Sequence, residues 1–133
     1  MTVPIRPLPH VLPQVDAIRG YITQVAAALD ARDLDVRNVW LDPMNPRDAT
    51  FILRSRAVVW NESEGFVAGE FVSGAQGERT VLADPVKLGG GVLLAPGHAA
   101  WLIANDRVEA PAAYRDHGSV RDGLDDALAA YEI

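Results

Sequence analysis

The sequence predicts an α+β domain: an N-terminal helix packed on a four- to five-stranded antiparallel β-meander, followed by one or two C-terminal helices. Three observations predict it. Apolar residues recur at helical spacing over residues 13–32, the period falls to two from Leu34, and Gly-, Pro- and Asn-containing breaks then divide short β-rich runs at regular intervals.

In the first element, Val15, Ile18, Ile22, Val25 and Leu29 follow one another at spacings of 3, 4, 3 and 4, which puts them on one stripe of a helix. Pro13 suits a first helical turn because its missing N–H has no partner to lose, and Asp16 lies near the positive end of the helix dipole. Arg19, Thr23, Gln24 and Asp30 occupy the other face, so this helix covers one side of a sheet rather than standing inside a core. Gly20 weakens it by about 1 kcal/mol relative to alanine.

From Leu34 the alternation puts Leu34, Val36, Asn38 and Trp40 on one face of a strand and Asp35, Arg37, Val39 and Leu41 on the other. Asp42-Pro-Met-Asn-Pro46 ends it, since each proline removes a ladder donor. Residues 49–60 hold two β-rich runs that reverse at Arg54-Ser-Arg56, with one long bent strand as the alternative. Asn61-Glu-Ser-Glu-Gly65 then joins Val58-Val-Trp60 to Phe66-Val-Ala-Gly-Glu-Phe71 as a hairpin. Ser73-Gly-Ala-Gln-Gly77 is a further loop, and Arg79-Thr-Val-Leu-Ala83 the last strand of the meander. The run Leu88 to Leu94, interrupted by three glycines, reads as a loop packed on the sheet or a short edge strand. Pro96 opens a second helix carrying Ala99, Ala100, Leu102 and Ile103, with Trp101 on an adjoining face. Ser119, with Asp122 three positions on, caps a short third helix bearing Val120, Leu124, Leu128 and Tyr131.

The organisation is a proline-rich arm over residues 1–12, one α+β domain over 13–105 and an acidic extension over 106–133. The 133 residues suffice for one hydrophobic core. The absence of cysteine excludes disulfides, thiol catalysis and thiolate metal sites, and fits a reducing compartment. No apolar run is long enough to cross a bilayer and the prolines interrupt any signal-peptide pattern, so the expected location is cytoplasmic, with no membrane contact. The net charge of −6 disfavours nucleic acid as a partner, because such a surface repels phosphate backbones.

The residues from the first helix through Asp42-Pro43, Pro46-Arg-Asp-Ala-Thr50, Val59-Trp60, Phe71-Val-Ser-Gly74, Gln76-Gly-Glu-Arg-Thr80 and Leu88-Gly-Gly-Gly-Val92 form a series. It resembles an uncharacterised small domain family of actinobacteria, Streptomyces and relatives, over roughly residues 14–105. The resemblance implies no activity and transfers no catalytic residue, and the acidic extension lies outside it.

Candidate chemistry is sparse. Lys87 beside Gly89 and Gly90 invites a phosphate cradle, yet the stretch matches neither Gly-x-x-x-x-Gly-Lys-Ser/Thr nor Gly-x-Gly-x-x-Gly, and a structural turn is the plainer reading. His10, His98 and His117 lack metal-ligand spacing, and the serines sit in turns without a nucleophile elbow, so neither a metal, a cofactor nor a catalytic residue is assigned. Arg47 with Asp48 could hold a partner carboxylate or an anion, or simply pin its own loop, and Arg79 has the same ambiguity. Trp40, Trp60 and Trp101 belong in the core, unless one is exposed beside those arginines and so marks an interface; Trp60 is the candidate taken.

The leading expectation is a non-enzymatic regulatory or protein-interaction module. Its partner would be another protein or a second copy in a homodimer. The alternative is a small-ligand, anion-binding domain using Arg47, Asp48, Arg79, Lys87, Gly89 and Gly90. The sheet face away from the first helix is where either would act.

Overall fold

The computed structural model describes residues 7, 13–41, 48–54, 56–62, 64–75, 78–89, 93–105, 107–109, 128 and 131. The elements run in the predicted order: a helical turn α1 (Pro13–Asp16), helix α2 (Arg19–Asp30), strands β1 (Asn38–Leu41), β2 (Asp48–Ile52), β3 (Ala57–Asn61), β4 (Gly65–Ala75) and β5 (Glu78–Lys87), then helix α3 (Pro96–Ala104). The five strands form one antiparallel sheet in sequence order. The fold is therefore α+β, and no helix among the described residues is long and apolar enough to cross a membrane. The third helix expected over 119–131 lies outside the described residues, apart from Leu128 and Tyr131.

The predicted stripe is the buried face of the first helical region: Val15, Ile18, Ile22, Val25 and Leu29 are all fully buried. Burying side chains of this size stabilises by roughly 1.5–3 kcal/mol each. The helix is not continuous, because a turn at Ala17–Ile18 separates α1 from α2, and Arg19 closes that corner on Asp16 at 2.8 Å. Tyr21, absent from the predicted stripe, is fully buried as well. Its ring meets Trp60 of β3 at 5.8 Å, Phe66 of β4 at 6.4 Å and Tyr131 edge-on at 4.8 Å, and its hydroxyl donates to the Leu94 carbonyl. Burial first, and the neighbouring Tyr131 second, hold the Tyr21 phenol protonated well above its ordinary range.

The first strand begins later than the alternation suggests. Asp33 and Asp35 adopt positive φ, 56° and 54°, so residues 33–35 turn rather than extend. Arg54 and Arg37 each donate to the Asp35 carboxylate at 3.2 Å and hold it below the usual carboxylate range. The strand then takes the opposite phase: Val39 and Leu41 join the core with Ala49, Phe51, Val58, Trp60, Phe66 and Ala68, while Trp40 is buried on the far face. Registers explain this, since Leu41, Ala49, Trp60 and Phe66 oppose one another across four strands, as do Val39, Phe51, Val58 and Ala68.

The reversal between β2 and β3 and the hairpin between β3 and β4 occur as expected, but the last hairpin is longer. β4 continues through Ser73-Gly74-Ala75, expected as loop, and β5 runs on through Asp84-Pro85 to Lys87. The pairing tolerates this through register shifts between Ala68 and Glu70 and again on either side of Ser73.

Leu128 is buried in the same cluster as α2 and the sheet, with Tyr131 packed against it, so part of residues 106–133 completes the core.

Candidate functional site

Beyond Gly69, β4 has only β5 as a described neighbour, so residues 70–75 and 78–83 form a two-stranded arm. The arm does not project straight. Thr50 of β2 and Thr80 of β5 share a hydrogen bond at 2.6 Å, although β3 and β4 stand between their strands. In a flat sheet three strand spacings would separate them by about 14 Å, so the sheet curls back over its own far face. The curl is built at close approaches: a Cβ on Gly69 would lie 2.8 Å from the Ala83 carbonyl oxygen, and one on Gly74, at φ +147°, 2.5 Å from Thr80 Oγ1. Phe71 on the arm meets Trp40 edge-on at 6.0 Å.

The far face, the side on which function is expected, is thus crossed by the arm, and Trp40, Thr50 and Val59 on it are buried. What remains is a hollow of about 210 Å³ lined by Asp48, Val59, Asn61, Val67, Thr80, Leu82 and Pro85. Asp48 and Thr80 both line it, so the segments around Asp48 and Arg79 adjoin one side of the sheet. Arg47 and Gly90, and the side chain of Arg79, fall outside the described residues. Lys87 is paired in register with Val67 and reaches Glu64 at 3.4 Å. Gly89 is buried with φ +77°, beyond the end of β5, and does not line the hollow. Trp60 is fully buried against Tyr21, where it serves the core and reaches no surface. The described lining therefore presents a carboxylate, a hydroxyl and an amide above aliphatic groups, a set that suits a ligand carrying N–H donors better than an anion.

A larger hollow lies on the helix side of the sheet, at its open margin. It measures about 380 Å³ and runs between the end of α3 and the β4–β5 hairpin. Ala68 and Leu88 from the sheet side and Leu102 and Ile103 from α3, all buried, make its apolar floor. Val86 and Val108 are its lips, 50% and 58% exposed. Arg56 enters from the β2–β3 reversal and donates to the Ile103 carbonyl, where a cation offsets the negative end of the α3 dipole. Glu70 and Asp84 stand on the rim, and neither makes an ion pair or side-chain hydrogen bond among the described residues. Asp84 sits at φ 49°, a left-handed conformation that aspartate tolerates better than most residues, just before Pro85.

The strand of chain that carries Val108 is fastened at both ends. Arg107 N–H donates to the Leu102 carbonyl at 2.9 Å and Glu109 N–H to the Leu88 carbonyl at 2.8 Å, while His98, stacked parallel on exposed Trp101, pairs with the Glu109 carboxylate. The groove was not legible in the sequence because its walls come from four separated stretches, and no local motif links Arg56 to Val108. The one available signal was Val86 and Val108 themselves, apolar residues at positions that no predicted element buries.

No protein-family model, curated protein or solved structure matches the chain.

Proposed function

We infer that the chain is a non-enzymatic interaction module that binds another protein through the groove between α3 and the β4–β5 hairpin. The observation that carries this reading is the pair of half-exposed valines bordering a 380 Å³ hollow with a buried aliphatic floor. Apolar surface concentrated around a concavity and rimmed by charge is characteristic of a protein-binding site, whereas isolated exposed valines are ordinary. A foreign partner is favoured over a second copy, because two chains of net charge −6 meeting through the same acidic rim repel one another. The resemblance to an actinobacterial family adds no activity, so the surface alone supports the reading.

The test is site-specific photo-crosslinking in cells, with a benzoylphenylalanine replacing Val108, Val86 or, on the far side of α2, Gln24. A discrete adduct from the two groove positions and none from Gln24 is the expected result. Equal labelling at all three positions, or none, removes the groove as the binding surface.

A second reading, small-ligand binding, is favoured by the hollow that holds Asp48, Asn61 and Thr80. Thermal-shift titration with small primary amines and with inorganic phosphate separates its two forms: the described lining favours the amine, and the anion form requires the arginines at 47 and 79.

A further inference from the structure

We propose that the groove's partner is an extended peptide segment in which aliphatic side chains are flanked by arginine or lysine. The proposal rests on the interaction-module reading and specifies its partner. The floor and lips are hydrocarbon: Leu102 and Ile103 beneath, Val86 and Val108 at the mouth. The volume of about 380 Å³ accommodates a pair of aliphatic side chains, not a helix face.

The rim decides the flanking residues. Glu70 pairs in register with Ala83, the residue before Asp84, so the two carboxylates stand on neighbouring strands at one edge of the groove. Arg56, the cation bordering the same hollow, directs a guanidinium N–H at the Ile103 carbonyl. The bulge at Gly69 and the left-handed backbone at Asp84 are what set these acidic residues beside the opening, as irregular β-pairs commonly re-aim side chains at functional margins. A segment with cationic residues on either side of its apolar anchors would bury hydrocarbon while meeting that rim with opposite charge; an acidic segment would meet like charge there. In a chain already at −6, the same sign of field steers a basic segment toward the site.

The experiment uses three fluorescein-labelled octapeptides: Gly-Ser-Arg-Leu-Leu-Arg-Ser-Gly, the same peptide with both arginines replaced by glutamate, and the same peptide with both leucines replaced by serine. Binding to the full chain is followed by anisotropy and located by amide chemical-shift changes. The Arg/Leu peptide is expected to saturate, to move the amides of Glu70, Asp84, Val86 and Val108, and to bind at least tenfold more tightly than either control. The double variant Glu70→Gln, Asp84→Asn, which keeps side-chain size and an αL-tolerant residue at position 84, is expected to lose that preference over the glutamate peptide with an unchanged unfolding midpoint. Val108→Ser is expected to weaken the Arg/Leu peptide and leave the fold intact. If the glutamate peptide binds as well, or the double variant binds the Arg/Leu peptide unchanged, the basic-partner proposal is overturned while the groove reading stands. If no peptide shifts the groove amides, both fall.

Discussion

At the scale of single residues, Tyr21 joins three functions of packing and polarity that the helical stripe did not foreshadow. It is a core aromatic, it satisfies the Leu94 carbonyl, and it contacts Tyr131. Tyr21→Phe keeps the ring but leaves that carbonyl without its donor, at a cost of about 1–2 kcal/mol in urea unfolding near neutral pH. The sign of its pH dependence follows from the raised folded-state pKa. The contribution is fully present below the unfolded phenol value of about 10 and is lost as pH rises from there toward the folded value, by up to about 1.4 kcal/mol per unit. The stability gap between wild type and Tyr21→Phe should therefore close above pH about 10; a gap constant to pH 11 would contradict the assignment. Gly69 supplies a steric counterpart. Gly69→Ala forces a methyl against the Ala83 carbonyl and should lower stability by about 1–3 kcal/mol, measured by the same unfolding curve.

At the scale of elements, the arm is held down by the Thr50–Thr80 bond and the Trp40–Phe71 contact. A double-mutant cycle with Thr50→Val and Thr80→Val should return a coupling of about 1 kcal/mol, and hydrogen exchange in residues 78–83 should accelerate ahead of β2 and β3. Additive single effects would show that the two hydroxyls do not act together. Helices α2 and α3 and the Asn61-to-Gly65 hairpin were legible because a 3.6-residue stripe, a proline at a helix start and a glycine-closed loop are local signals. The phase of β1 was not. Leu34, Val36 and Trp40 alternate in sequence, but the positive φ of Asp33 and Asp35 turns the chain before the strand starts, and cross-strand register then sends Val39 and Leu41 inward. β5 runs past Ala83, the end expected from its β-rich run, through Asp84-Pro85 to Lys87; proline lacks a ladder donor, and an edge strand can carry it. Of the candidate site residues, Asp48 reached a hollow and Trp60 did not, because alternation along β2 and β3 points them to opposite faces.

At the scale of the whole molecule, the core closes between distant parts of the chain. Leu128 is buried in the same core cluster as residues of α2, β3 and α3, and Tyr131 meets Tyr21. Leu128→Ala should destabilise by about 2–4 kcal/mol, and a chain truncated before Leu128 should unfold at markedly lower urea concentration. A truncation that leaves the midpoint unchanged would make those contacts incidental. The arrangement also bears on how the protein is made. Every strand pairs with its neighbour in sequence, so the sheet can zip up as the polypeptide leaves the ribosome. The patch over Tyr21 cannot be sealed until Leu128 and Tyr131 have emerged. A nascent chain stalled before them would hold its meander while still showing an aromatic face, the state in which a chaperone would find something to hold.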